Sequence, residues 1–314
     1  MAPVDFRSKG GLADRVFKGT TVAAGALVLG VLTLIAAVMI SKAWPAFHEM
    51  GTRFFTSQRW SPPDKQFGAL AFIYGTVISS AIALVLAVPV SLGIALFVTQ
   101  VAPRRARRPI VYLMDLLAVV PSVVFGLWGV LVFSKQVKGF YQNLHDALGG
   151  VPLIGSFFGS PQGRSFFTAG IILAVMITPI ITSLAREVID TTPVPDREGA
   201  LALGATRWEM IRGAVLPHSK GGITGAVMLG LGRALGETIA VALVIGSSPQ
   251  ITKNLFGSGD SMPAVIANQW GDADSLQKSA LIGLAVTLFA ITILVNMVAN
   301  AVVQRSARRS QGLR

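Results

Sequence analysis

The chain has 314 residues, of which 52% are hydrophobic and only 13% charged. A soluble protein of this size carries about 25% charged residues, so the composition excludes the soluble globular class and indicates a polytopic membrane protein. The formal net charge of +12 would suggest nucleic acid in a soluble protein, but here it is concentrated in short loops between apolar runs, and no nucleic-acid partner is expected.

Residues 1–18 are polar and carry Arg7, Lys9, Arg15 and Lys18. The first span is predicted over 20–40. Its apolar run, 19–41, is longer than the 7–15 residues of a signal-peptide core, so no cleavable signal is expected. A polar segment follows to Lys65, with Trp44 and Trp60 expected as interface anchors. The uncharged run 66–103 is too long for one straight helix across about 30 Å. It reads as an extracytoplasmic lead-in, 67–75, and a second span, 76–98, bent near Pro89. Arg104, Arg105, Arg107 and Arg108 form a basic loop, and Pro109 suits the first turn of a third span to residue 133. A loop is expected over 134–164, then a fourth span over 165–184 with Pro179 inside it. A water-exposed loop occupies 185–220. The fifth span is predicted over 222–245, a Gly- and Pro-punctuated segment over 246–278, and the sixth span over 280–302. The tail carries Arg305, Arg308, Arg309 and Arg314.

The expected fold is therefore an all-α polytopic membrane protein with six transmembrane helices. One transmembrane domain covers 1–314. Residues 1–66 hold the N-terminal tail, first span and outer loop, 67–303 the core, and 304–314 the tail. The first span is expected at the periphery. Both termini are expected in the cytoplasm: this puts 17 Lys and Arg inside and nine outside, with Arg233 in a span.

The loop 185–220 contains a helix–turn–helix. Asp196 can cap a short helix over 197–203, and Gly204 sits where a left-handed residue would end it. Thr206 and Glu209 have capping-box spacing for a second helix. Trp208, Ile211 and Val215 recur at i, i+3 and i+7 and are expected on one face, and Pro217 is expected to end the helix. The spacing of Glu198, Ala200, Gly204, Leu216 and Pro217 resembles E-A-A-x3-G-x9-I-x-L-P, the EAA loop of bacterial ABC-importer permeases. Gly199 and Ala214 depart from that pattern without moving the turn or the stop.

Three ionisable residues lie in predicted spans: Asp115, Arg233 and Glu237. Each costs at least about 2.5 kcal/mol in hydrocarbon, so each is expected to face a cavity or a partner. In one continuous fifth helix Arg233 falls near the midplane and Glu237 one turn further on the same face. Two readings stay open: a neutralised structural ion pair, or a fixed Arg that attracts an oxyanion in a cavity. Gly225, Gly230, Gly232 and Gly236 allow close approach of a helix or ligand there. Asp115 is the seventh residue from Pro109. It reads either as a carboxylate favoured by the helix dipole near the cytoplasmic interface, or as a polar lining group on the exit side of a pathway.

The segment GLGRALGETIAV around Arg233 and Glu237 resembles the phosphate-specific (Pst) importer permeases. So do residues 74–97 (YGTVISSAIALVLAVPVSLGIALF), residues 115–129 (DLLAVVPSVVFGLWG) and the EAA loop. The resemblance spans residues 67–303 and favours the PstC-type subunit over the PstA-type. It implies a type I importer (MetI-like) permease fold and inorganic phosphate moved inward by alternating access. It implies roles in phosphate transport for Arg233 and Glu237, and ATPase coupling through Glu198, Ala200, Gly204, Thr206, Trp208, Leu216 and Pro217. The implied partners are a PstA-type permease, a PstB-type ATPase dimer and a PstS-type phosphate-binding protein. ATP and Mg would sit on the ATPase, and no cofactor on this chain. The implied location is the bacterial inner membrane.

The chain has no G-x-x-x-x-G-K-[ST], so ATP hydrolysis is expected on a partner and no enzymatic activity here. It has no cysteine, and His48, His145 and His218 are isolated, so no metal site is expected. Two alternatives remain. One is a permease for another oxyanion, sulfate or molybdate. The other is an ion-coupled secondary transporter with Glu237 as proton carrier, which would have no use for an ATPase-docking loop. A membrane-embedded enzyme is more remote.

Overall fold

The computed structural model describes residues 12–151 and 155–311. Helix α1, Leu12–Met50, is followed by a short α2, Arg53–Thr56, and by the antiparallel strands β1, Trp60–Ser61, and β2, Gln66–Phe67. Helix α3, Leu70–Leu96, runs on through a π-helical turn, Phe97–Val101. Then come α4, Arg104–Val119, and α5, Ser122–Trp128, which continues through a π-helical turn, Gly129–Phe133, into α6, Ser134–Leu148. Helix α7 is Phe166–Asp190, α8 Val194–Ala202 and α9 Arg207–Met210. A third π-helical turn, Ile211–Val215, leads into α10, Leu216–Gly236. Helices α11, Ile239–Val244, α12, Met262–Gln269, and α13, Ser275–Gln311, complete the chain.

Among the described residues five helices are long and apolar enough to cross a bilayer: Ala13–Met50, Leu70–Val101, Ser122–Leu148, Phe166–Asp190 and Ser275–Ala301. The sixth crossing is made of two pieces, α10 and α11. The expected continuous fifth span is therefore corrected to a helix broken at Glu237 and Thr238. The expected third span over 109–133 is also corrected. It breaks at Val120 and Pro121, because Pro121 lacks an amide hydrogen and pushes Val120 into an extended conformation (φ −59°, ψ 126°). Beyond that break the helix runs on to Leu148, through the first half of the expected loop over 134–164.

The core is the packing of α3 on α7. In α3 the buried residues Gly75, Ser79, Ala83, Ala87, Ser91 and Ala95 recur every four positions. Four-residue spacing places them in one nearly straight row, and small side chains let the two backbones approach. Leu173, Ile177 and Ile181 of α7 fill this side of the core. The expected lead-in over 67–75 is largely helical, because α3 already starts at Leu70.

Helix α1 packs on α13 and stays exposed along most of its length, at the edge of the bundle. A second cluster, with Phe54, Phe67, Phe72 and Met262, closes the end where α1, α3 and α13 meet the hairpin. Trp60 belongs to it. Its ring stands edge-on to Phe67 and Phe72, each at 5.0 Å, and its Nε1 donates to Gln269 Oε1 at 2.9 Å. Trp60 is thus half-buried in this packing, whereas Trp44 is exposed.

Candidate functional site

The site is built on α10. The bounds of this helix correct the expectation that Pro217 ends the preceding one. The π-helical turn at Ile211–Val215 comes just before Pro217, and the backbone stays helical up to it (Val215 φ −70°, ψ −53°; Leu216 φ −65°, ψ −42°), so the wider turn accommodates the proline without ending the helix. The amphipathic helix and the span are therefore one continuous rod.

Alternate faces of α10 do different things. Ala226, Gly230 and Ala234 are buried. A Cβ at Gly222 would overlap Val188 of α7, and one at Gly230 would lie 2.7 Å from Ile181 Cδ1. Added Cβ atoms at Gly221, Gly225, Gly232 and Gly236 meet nothing within 4 Å. This open face and α13 line a groove of ≈ 380 Å³, to which Asn296 and Asn300 contribute. Neither amide is among the residues expected to form a site; their signal in the sequence is a pair of polar side chains four residues apart in an otherwise apolar run.

Arg233 lies in the last turn of α10 and is exposed, about 26 Å along the helix from Leu216. It makes no ion pair among the described residues. The expected shared face with Glu237 is corrected, because the helix stops between them. In an unbroken helix the Ala240 amide would donate to the Gly236 carbonyl. Here the Ala240 amide donates to Glu237 Oε1 at 3.3 Å, and the Gly236 carbonyl accepts from the Thr238 hydroxyl at 3.2 Å. Both ends of the lost bond are satisfied by side chains of the break itself, which is why it needs no proline. Glu237 thus caps α11 and forms no neutralised pair with Arg233.

The two broken helices resume side by side. A Cβ at Gly126 of α5 would lie 2.8 Å from Ala240 Cα of α11, and one at Gly129 would lie 2.7 Å from Val244 Cγ1. The register rises together, so α5 and α11 run parallel. Their first turns, with positive ends of the peptide dipoles, lie next to the two breaks.

Asp115 is the twelfth residue of α4, which starts at Arg104 rather than at Pro109. The helix-dipole reading is corrected, since the carboxylate lies toward the C-terminal end. It is exposed and lines a narrow crevice with Thr182, Ser183 and Arg186.

The helix–turn–helix of residues 194–217 has the expected turn. Gly204 has φ +87°. Its amide donates to the Leu201 carbonyl at 3.0 Å, and the Ala205 amide donates to the Ala200 carbonyl at 3.1 Å, the paired closure of a Schellman motif. The capping box is complete: the Glu209 amide donates to Thr206 Oγ1 at 3.3 Å, and the Thr206 amide donates to Glu209 Oε2 at 2.8 Å. These donors hold the Glu209 carboxyl below the usual carboxylate range, the Thr206 backbone amide most of all.

Two details of this segment are corrected. Helix α8 begins at Val194, after an extended Pro193, so Asp196 lies in its first turn rather than at the cap. Trp208 does not share the buried face of Ile211 and Val215, since the π-helical turn widens the helix and rotates Val215 away from it. Met210 takes that place, packed with Ala95, Ala185 and Ile189, while Ala200 packs against the same cluster. Trp208 is 61% exposed and Leu203 91%, so the tip of the turn offers apolar surface that the described residues do not cover. Glu198 and Pro217 are also exposed, and Leu216 is half-buried.

Comparison with known proteins places this architecture. Residues 87–311 match the family described as binding-protein-dependent transport system inner membrane component. The phosphate transport system permease protein PstC of Mesorhizobium japonicum is 43% identical over 302 residues, covering 95% of this chain and 92% of its own. PstC of Haemophilus influenzae is 43% identical, covering 90% of each chain, and PstC 2 of Mycobacterium tuberculosis is 42% identical, covering 92% and 91%. Among solved structures, a bacterial alginate ABC transporter bound to its periplasmic protein is similar in fold: TM-score 0.61, 16% identity, 94% of this chain and 97% of that one. The MetNI methionine ABC transporter, in an inward-facing conformation, superposes with a TM-score of 0.56 at 14% identity, over 79% of this chain and 99% of that one. The chain belongs to the binding-protein-dependent transport system inner membrane components and, within them, to the PstC family of phosphate transport system permease proteins.

Proposed function

We propose that this chain is one of the two membrane halves of an ATP-driven importer and carries inorganic phosphate into the cytoplasm by alternating access. The observation that carries the reading is identity of 42–43% across nine-tenths or more of the chain to permeases named for phosphate transport. The geometry agrees with it. An exposed Arg233 stands in the last turn of α10, just before the break from which α11 resumes beside α5. A guanidinium and helix starts of this kind favour an oxyanion. No observation favours sulfate, molybdate or a proton-coupled carrier.

The open face of α10 suits a second permease of PstA type. The exposed turn around Leu203 and Trp208 suits a PstB-type ATPase dimer, which would hold ATP and Mg. A PstS-type protein would deliver phosphate from outside, and both termini would face the cytoplasm of a bacterium. Glu198, Ala200, Gly204, Thr206, Trp208, Leu216 and Pro217 would transmit the ATPase motion. Because α9, the π-helical turn and α10 form one rod, that motion would reach Arg233 without a joint.

Arg233 would supply attraction. Glu237 would discriminate, since phosphate near neutral pH can donate a proton to a carboxylate and sulfate cannot. Asp115 would line the exit side. The test is ATP-dependent phosphate uptake by the reconstituted complex, with sulfate as competitor. Arg233→Gln should abolish uptake. Glu237→Gln retains an oxygen that can cap α11, so it separates chemistry from folding. It should impair phosphate uptake and admit sulfate in a complex that works without the binding protein. An unchanged phosphate-to-sulfate ratio would make Glu237 a structural cap only.

A further inference from the structure

The end of the bundle that carries α8 and α9 also holds a cleft of ≈ 810 Å³, lined by Arg105, Arg107, Arg108 and Arg186 together with Val111 and Tyr112. The first turns of α4 supply three of the guanidiniums and α7 the fourth. Arg107 is tied to Asp190 at 2.5 Å. Arg105, Arg108 and Arg186 make no ion pair among the described residues. The carboxylates on the same two helices are that same Asp190, Glu187, and Asp115, which lines the neighbouring crevice beside Arg186. Four guanidiniums line the cleft itself, and none of the three carboxylates does. Of the pathway residues proposed above, only Asp115 comes near this cluster, through the crevice that Arg186 also lines; Arg233 and Glu237 lie at the far end of α10.

A second feature adjoins the cleft. Helix α4 continues from the arginines as an uncovered apolar strip: Tyr112 is 68% exposed, Leu116 68% and Val119 80%. Cations at one level and an apolar track running away from them match one kind of molecule, a lipid with an anionic head and acyl chains. Arginine forks bind phosphate oxygens in pairs, and basic pockets between transmembrane helices at the interface take such heads.

We propose that this cleft is a binding site for an anionic phospholipid. Arg105, Arg108 and Arg186 hold its phosphate group, and the acyl chains lie along Tyr112, Leu116 and Val119. Arg107, through Asp190, fixes the start of α4 against the end of α7 and so shapes the cleft.

The transporter complex purified in detergent tests this. Retained lipid is read by native mass spectrometry after addition of phosphatidylglycerol, of phosphatidylcholine or of inorganic phosphate. Wild type should retain phosphatidylglycerol in preference to phosphatidylcholine. The triple variant R105Q/R108Q/R186Q should retain at least about tenfold less of it, and R105K/R108K/R186K should keep most of it. A control that removes as many charges elsewhere, K42Q/R53Q/K65Q, should behave like wild type. The assignment is overturned if wild type retains both lipids equally, if the two glutamine triples lose lipid equally, or if millimolar inorganic phosphate displaces phosphatidylglycerol. The comparison of headgroups on wild type needs no variant to fold.

Discussion

Gly204 is where the coupling role of the α8–α9 turn can be tested with least disturbance. Its φ of +87° sits at the closure of a Schellman motif, and a Cβ added there meets nothing within 4 Å. A substitution therefore perturbs the backbone and no packing. A side chain in a left-handed conformation costs about 1–2 kcal/mol, and a β-branched one is a more severe outlier. Asn tolerates the conformation best after Gly. A cost of 1–2 kcal/mol lowers the ratio of ordered to disordered turn by a factor of about 5–30, which empties a turn of marginal stability. The expected result is that Gly204→Val, inserted at normal abundance, loses at least about fivefold of ATP-dependent uptake in reconstituted vesicles, while Gly204→Asn keeps most of it. Wild-type uptake by the Val protein would refute the coupling role. Equal loss in the Val and Asn proteins would refute the conformational reasoning, and would mean that the turn needs a bare surface instead.

Other outcomes follow from separate parts of the chain. Asp260 is 4% exposed, accepts from the Ser261 amide at 2.8 Å, and has its pKa pushed up to about 6 by burial. A native pKa above the unfolded value means that the native state binds more protons between about pH 4 and 6, so stability falls as pH rises through that window and is flat above it. Asp260→Asn should raise the melting temperature at pH 7.5 and remove that pH dependence. An unchanged melting curve at both ends of the window would show that the carboxylate is not desolvated. Gly75→Ala should sharply lower the yield of folded protein, because its Cβ would overlap the Asp260 carbonyl, whereas Gly225→Ala, in open space, should not alter the fold of this chain. Fluorescence-detected size exclusion distinguishes the two. Single cysteines at the exposed positions Gln58 and Lys253 should react with an impermeant thiol reagent added outside intact cells, and one at the exposed Asp196 should not. The reverse pattern would invert the orientation drawn from Lys and Arg.

Much of the architecture is legible in the residues because the membrane leaves few options. Apolar length reports crossings, and prolines and capping residues report the local turn at Gly204 and Thr206. The row of small residues in α3 that marks the α3–α7 seam recurs every four positions, a pattern that apolar length alone does not single out. Local cues misled where a second element competes. Pro217 looked like a helix stop, but the π-helical turn before it absorbs the proline and lets the helix continue. Trp208 looked like a core residue by spacing, but that same turn changes the number of residues per turn and leaves it outside.

The sequence by itself determined that the chain is a bundle of membrane helices with an EAA-type turn between two of them. Long apolar runs have no other stable home, and a capped Gly turn is encoded within a dozen residues. Only the tertiary structure decided that Arg233 and Glu237 are separated by a break, that α5 resumes beside α11, and that three arginines of α4 meet Arg186 of α7. Side chains at Glu237 and Thr238 replace one backbone bond there, and nothing in an apolar periodicity registers such an exchange. The arginines lie about eighty residues from their partner in the chain, so only the packing of α4 on α7 brings them into one cleft.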